Sequence, residues 1–286
     1  MKTYIISFFL LFTVTYGFAQ KSVVFKIKYK PSHTYHLSVK TDLNMEMDAT
    51  GDEASLAEIK KSAKLPMLIT GHNIQDLNIV TENSKADQSF PFTMTMPVTE
   101  SVMTLNGQKI DTPNPLNGKT IYGTGSAEGK IHVDSVSGKN ADEKVKSLVT
   151  AIVNNISSKI QFPDKPMEIG ETFTQEMPMA LPIPGFSNIQ MNIKIVYKLL
   201  SVDNDSANFD IDQFMAMDLK TTQNGVEMII GGQGKGTGKL VYSIKNNYMT
   251  SMSSNLNFNV SFVMQGITFK AKAAGNSSYV ANVKSR

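Results

Sequence analysis

Apolar and polar residues alternate at period two along most of the chain, the signature of strands that bury one face. Val23, Phe25, Ile27 and Tyr29 fall on one side of the first such stretch, and Lys26, Lys28 and Lys30 fall on the other. After Pro31-Ser32 the pattern resumes, with Tyr35, Leu37, Val39, Leu43, Met45 and Met47 opposite His36, Lys40, Asp42, Glu46 and Asp48. It returns over 90–98, 189–199, 209–219 and 256–264, and the last of these leads through Gln265-Gly266 into another alternating run. Gln265-Gly266, Asn204-Asp205 and Asn246-Asn247 read as tight hairpin turns. Long strands joined by short turns predict an antiparallel meander.

Two stretches depart from period two. Residues 52–64 carry good helix formers but only Leu56, Ile59 and Ala63 as an apolar stripe, which predicts a short surface helix or insert. Over 140–160 the spacing changes fully: Val145, Leu148, Val149, Ile152, Val153, Ile156 and Ile160 share one helix face, and Asp142 and Glu143 favour its positive N-terminal end. The fold expected is therefore mainly β, a large curved antiparallel sheet of half-barrel form wrapped on one amphipathic helix. Pro163-Asp164-Lys165-Pro166 forms a stiff crossing between the helix and the second half of the sheet.

The N-terminus reads as an export signal. Lys2 precedes the apolar run Ile5 to Phe12, and Gly17 and Ala19 supply small residues at the positions a signal peptidase reads. This assigns 1–20 to a signal peptide and 21–286 to a single domain, exported to the periplasm or the exterior. The apolar run is shorter than the roughly 20 residues a membrane-spanning helix needs.

Composition narrows the chemistry further. There is no cysteine, which excludes disulfides, thiolate metal sites and thiol nucleophiles. The formal charge is +3 over 286 residues, and Arg286 is the only arginine, so no basic patch or guanidinium fork recruits nucleic acid or phosphate. The glycines at 232, 234, 236 and 238 fit neither the dinucleotide fingerprint nor the phosphate loop. At period two they line one face of a strand, where they let a curved sheet bend sharply or a helix backbone approach.

His33 and His36 point to opposite faces of a strand, and His132 with Asp134 is the one pair that shares a face; two polar residues on the solvent side is the ordinary account of it. No nucleophile elbow and no zinc-helix motif occurs. The expectation is a protein that is not an enzyme and holds no metal and no cofactor.

The export signal, the Tyr35 to Met47 strand, the Pro163-x-x-Pro166-Met167-x-x-Gly170 crossing and the Gly234-x-Gly236-x-Gly238 strand together resemble an uncharacterised family of exported bacterial proteins, a domain of unknown function. Its expected shape is similar to the β half-barrels of lipoprotein-carrier proteins. The resemblance implies an apolar-ligand or lipid-binding role and supplies no catalytic residues.

Seventeen methionines and no tryptophan add to this picture, because methionine is an adaptable filler of apolar space. One helical stripe is too narrow to cover the apolar face of about ten long strands. A soluble envelope binding protein is thus expected, holding a lipid, an acyl chain or another apolar small molecule in a methionine-rich cavity. Met45, Met47, Phe92, Met94, Met96, Val149, Ile152, Val153, Met215, Met217, Phe258 and Phe262 are the residues expected to line it. The alternative is a structural or protein-interaction module with an envelope protein partner and no small-molecule ligand. An outer-membrane barrel would alternate in the same way, but the missing tryptophan girdle and the terminal Arg286 speak against a chain that spans the membrane.

Overall fold

The computed structural model describes residues 22–62, 64–97, 100–111, 117–126, 131–137, 160–181, 189–223, 226–264 and 266–286. The expected signal peptide lies outside them, as does the helix expected over 140–160 up to its last residue, Ile160.

Thirteen strands and one helix follow in chain order: β1 His33–Thr50, α1 Glu53–Ser62, β2 Met67–Thr81, β3 Phe90–Thr95, β4 Ser101–Leu105, β5 Gln108–Ile110, β6 Thr120–Gly125, β7 Ile131–Val136, β8 Thr172–Leu181, β9 Ile189–Val202, β10 Ser206–Gln223, β11 Val226–Ser243, β12 Tyr248–Met264 and β13 Ile267–Ser285. They form one antiparallel sheet in the order β7-β6-β3-β2-β1-β13-β12-β11-β10-β9-β8, with β4 paired to β2 and β5 to β4. The mainly β, single-sheet architecture read from the alternation is the architecture observed. Strands β8 to β13 are a simple meander. The sheet then continues by joining the two ends of the chain, β1 lying against β13 from His33 opposite Ser285 to Thr50 opposite Thr268.

The sheet is not closed, since β7 and β8 end it on either side without pairing to each other. It is nevertheless strongly curled. Leu77 of β2 and Met177 of β8 line the same cavity, although seven strand steps separate β2 from β8. In a flat sheet they would stand roughly 34 Å apart at about 4.8 Å per step.

The glycine stripe of β11 lies on the inward side of this curl. A Cβ at Gly236 or Gly238 would strike the carbonyl oxygens of Asn255 or Ser253 in β12, and one at Gly234 would stand 2.6 Å from Phe258 Cβ. Only hydrogen fits where the two strands bend together.

Residues 22–30 alternate as expected, with Phe25 and Tyr29 buried and Lys26 exposed, but they do not form a strand of the sheet. They cross its concave side, bridged at Val23 to Met167 and bonded once more through Lys28 N–H, which donates to the Asn247 carbonyl at 3.1 Å. Side chains take over the work of a neighbouring strand. Tyr242 Oη donates to the Lys26 carbonyl at 2.8 Å, and Lys30 N–H donates to Tyr35 Oη at 2.7 Å. Phe25 is wedged among Phe162, Phe209 and Tyr242 at centroid distances of 5.3, 5.1 and 5.2 Å. Aromatic burial therefore fixes this segment where backbone pairing does not.

Helix α1 is capped by Asp52, whose Oδ1 accepts from Ser55 N–H at 2.9 Å. Hydrogen bonds from the Ser55 hydroxyl, and then from its backbone N–H, hold the Asp52 carboxyl below its ordinary range. Leu56 and Ile59 turn to the core and Lys60 and Lys61 occupy the last turn.

Candidate functional site

The concave face carries two separate apolar cores. The larger joins β8 to β13 with the C-terminal end of β1, the start of β2 and Phe25. The smaller joins β2, β3, β6 and β7 with Tyr29, Tyr35 and Tyr248.

Between them the inward positions change character. Across adjacent strands the register reads Asn73, Thr41, Ser277, Ser254, Gly238 and Ile211. The Ser277 and Ser254 hydroxymethyls and the Gly238 hydrogen fill little of the concavity, whereas Ile211 at the end of the row is buried in the larger core. Thr41 is exposed although it alternates inward with Leu37 and Met45. Here the sheet leaves a cavity of about 280 Å³, close to the lower end of ligand pockets, about 300 Å³.

Its walls are mostly apolar, from Leu77, Ile160, Met177, Ile193, Ile211 and Met252 among others. Gln75, Gln213, Ser254 and Ser277 add amides and hydroxyls, and Tyr197, Tyr248 and Tyr279 add phenols. No charged side chain lines it among the described residues.

The phenols are held neutral. Burial, reinforced by neighbouring tyrosines, pushes the Tyr29 and Tyr248 hydroxyls well above the usual value of 10. Burial raises Tyr279 as well and pushes Tyr197 up to about 12. Tyr248 Oη donates to Tyr29 Oη at 3.2 Å, which ties the crossing N-terminal segment to this wall.

The residues expected to line a cavity divide between the two cores. Met45, Met47, Met215, Phe258 and Phe262 are buried in the larger core and Met217 packs against it. Phe92, Met94 and Met96 are buried in the smaller one. Val149, Ile152 and Val153 lie outside the described residues. The hollow is lined by other side chains, with Met177, Met249 and Met252 as its methionines. A larger depression of about 600 Å³ borders Met45 and Phe258. It is a trough on the convex face, flanked by outward-pointing Asn44, Glu46, Asn257 and Lys272, and encloses nothing.

Outside the cavity the ion pairs in contact among the described residues are isolated ones. His132 and Asp134 do share a face of β7, at 3.6 Å and well exposed. His72 Nδ1 lies 2.6 Å from Asp42 Oδ1 across the β1–β2 pair, a contact that no local motif announces. His33 bonds to the Pro31 carbonyl and His36 to Asn78. No three histidine or carboxylate side chains converge among the described residues, and no helix there is long and apolar enough to cross a membrane.

No protein-family model and no curated protein matches the chain. Solved structures similar to it include Pseudomonas aeruginosa OpdQ, at 8% identity, 89% of this chain, 99% of that chain and a TM-score of 0.23. Another is the outer membrane protein opdK from Pseudomonas aeruginosa, at 6% identity, 87% and 99% coverage and a TM-score of 0.21. A third is the beta domain of the Bordetella autotransporter Brka, at 7% identity, 85% and 98% coverage and a TM-score of 0.16. Scores of this size define neither a fold nor a role for this chain.

Proposed function

We propose that this chain is a soluble protein of the bacterial envelope that binds a small, largely apolar molecule inside its half-barrel. The observation that carries this reading is the hollow between the two cores, enclosed by apolar walls drawn from strands at opposite sides of the sheet. Binding there would be driven by removal of apolar surface from water, at roughly 25 cal/mol per Å². The export signal read from the first twenty residues, and the resemblance to exported domains of unknown function, support the compartment.

The convex face supports solubility over residence in lipid. It carries Asp210 opposite Lys198 and Lys239, and Glu46 opposite Lys272. Such charge is destabilising on a lipid-facing barrel surface by about 2–4 kcal/mol for each lysine near the midplane.

Native mass spectrometry of gently purified protein tests the proposal. The expected result is a bound mass lost on organic extraction. Protein that is uniformly ligand-free and takes up no neutral apolar dye overturns it. In that case the protein-interaction reading gains, because β8 offers an outer edge of ten residues with no strand paired to it among those described.

A further inference from the structure

We infer that the cavity selects an uncharged amphiphile, an apolar body bearing a hydroxyl, ester or amide, and rejects the corresponding carboxylate. This rests on the binding role proposed above and specifies its ligand.

Gln213 carries the argument. It is one of only two buried polar residues among those described, with 9% of its surface exposed, and it lines the hollow. Its position is enforced by the sheet, because it pairs with Gly236 of β11. Its Oε1 occupies the space that a Cβ there would need, 2.9 Å away.

No hydrogen-bond partner for the Gln213 amide exists among the described residues, and the same is true of the Gln75 amide and the Ser254 and Ser277 hydroxyls. None of these groups is sealed in packed carbon. Among the described residues Ser126 Oγ is the one fully enclosed side-chain polar atom without a partner. The four groups instead open onto the cavity, and Ser254 and Ser277 stand directly opposite each other on β12 and β13. Buried amides and hydroxyls require partners, so a guest that completes this belt must offer hydrogen bonds of its own.

The same belt contains nothing that would compensate a charge. Lysine and arginine are absent from the described walls. The lysines of the crossing segment alternate away from the cavity-lining Ile27. A carboxylate entering this site would lose its hydration without meeting a cation, a penalty that an alcohol or ester does not face. Amides and hydroxyls both donate and accept, which suits neutral groups of either kind.

The test uses the mature full chain and N-phenyl-1-naphthylamine, an uncharged dye that brightens in apolar surroundings. Octan-1-ol and octanoate compete for the dye at pH 8, where an ordinary carboxyl is ionised. Octan-1-ol is expected to displace it at a concentration about tenfold or more below that of octanoate. In Gln213→Leu, whose own dye affinity is titrated first, the inhibition constant of octan-1-ol is expected to rise by about three- to tenfold. Equal or better displacement by octanoate overturns the selectivity while leaving the cavity's binding role intact. An unchanged response of Gln213→Leu to octan-1-ol likewise removes the amide from recognition. Failure of the dye to bind the wild-type chain at all strikes the binding role itself.

Discussion

Two inward rows of the sheet, four residues apart along β1, show what separates packing from a hollow. The row through Met45 continues through Ala273, Phe258, Gly234, Met215 and Ile193. Large and small residues alternate there, and Phe258 occupies the space that Gly234 leaves. Interdigitation of this kind fills a core to the density of an organic crystal. The row through Thr41 runs over the same strands but contributes Ser277, Ser254 and Gly238 in succession. Three small residues side by side have nothing to interlock with, and the concavity stays open. The two rows run over the same strands, so the smaller side chains of the second across β13, β12 and β11 account for a hollow where the first is packed.

The strongest way to break this comparison is to hollow out the dense region. Phe209 is 1% exposed and touches Phe25, Phe162 and Phe173. Phe209→Ala is expected to destabilise the fold by about 3–5 kcal/mol in urea unfolding. A loss below about 1 kcal/mol would mean that the aromatic cluster is not close-packed. Next in size is Gly236→Ala, which forces a methyl group against the Asn255 carbonyl and the Gln213 amide. Overpacking of this kind is expected to cost about 1–3 kcal/mol, whereas Gly71→Ala, with only Leu43 Cβ near at 3.6 Å, serves as the tolerated control.

The tyrosine wall gives a pH-dependent version of the same test. Tyr248 stays protonated in the folded chain well above 10, because burial disfavours its anion, whereas in the unfolded chain it ionises near 10. Its contribution is therefore complete below pH 10 and drains away as pH rises from there toward the folded-state value. Each such tyrosine adds about 1.4 kcal/mol of destabilisation per pH unit across that window. Between pH 10 and 11, Tyr248→Phe should flatten the stability profile by that slope. Identical slopes for the two proteins would show that the phenol is not shielded from water.

Period two revealed most strands, because a sheet with one buried face writes its alternation into each of them. It also placed the turn before β10 at Asn204-Asp205 and the helix α1 within 52–64. What it could not supply was the neighbour of each strand. Met45 and Phe92 both read as inward-facing residues of one cavity. Strand order sends Met45 into the row with Phe258, and Phe92 to the pair with Gly123 on β6. The hollow arises where Ser254 and Ser277 coincide in register, and that coincidence involves residues 23 positions apart in sequence with no local mark. Residues 22–30 make the converse point: their alternation correctly assigned the buried side, but aromatic contacts took the place of a strand partner.

The smallest expected effect has the opposite sign from the others. In the dense row every truncation removes contacts, but on the cavity wall, in the row between the dense and the open one, the Gln213 amide has no partner among the described residues and is itself a liability to the empty protein. An unpaired buried amide costs about 1–3 kcal/mol by mutational measures, reduced here because the cavity admits water to part of it. Gln213→Leu should therefore leave the ligand-free fold as stable as the parent or more stable, by up to about 1 kcal/mol in urea unfolding. Under the proposed binding role, an amide kept against its own effect on stability is the trade expected of a site shaped for a guest. If the variant instead proves less stable by more than about 1 kcal/mol, the amide supports the fold, and the contrast between a filled row and a receptive cavity wall disappears.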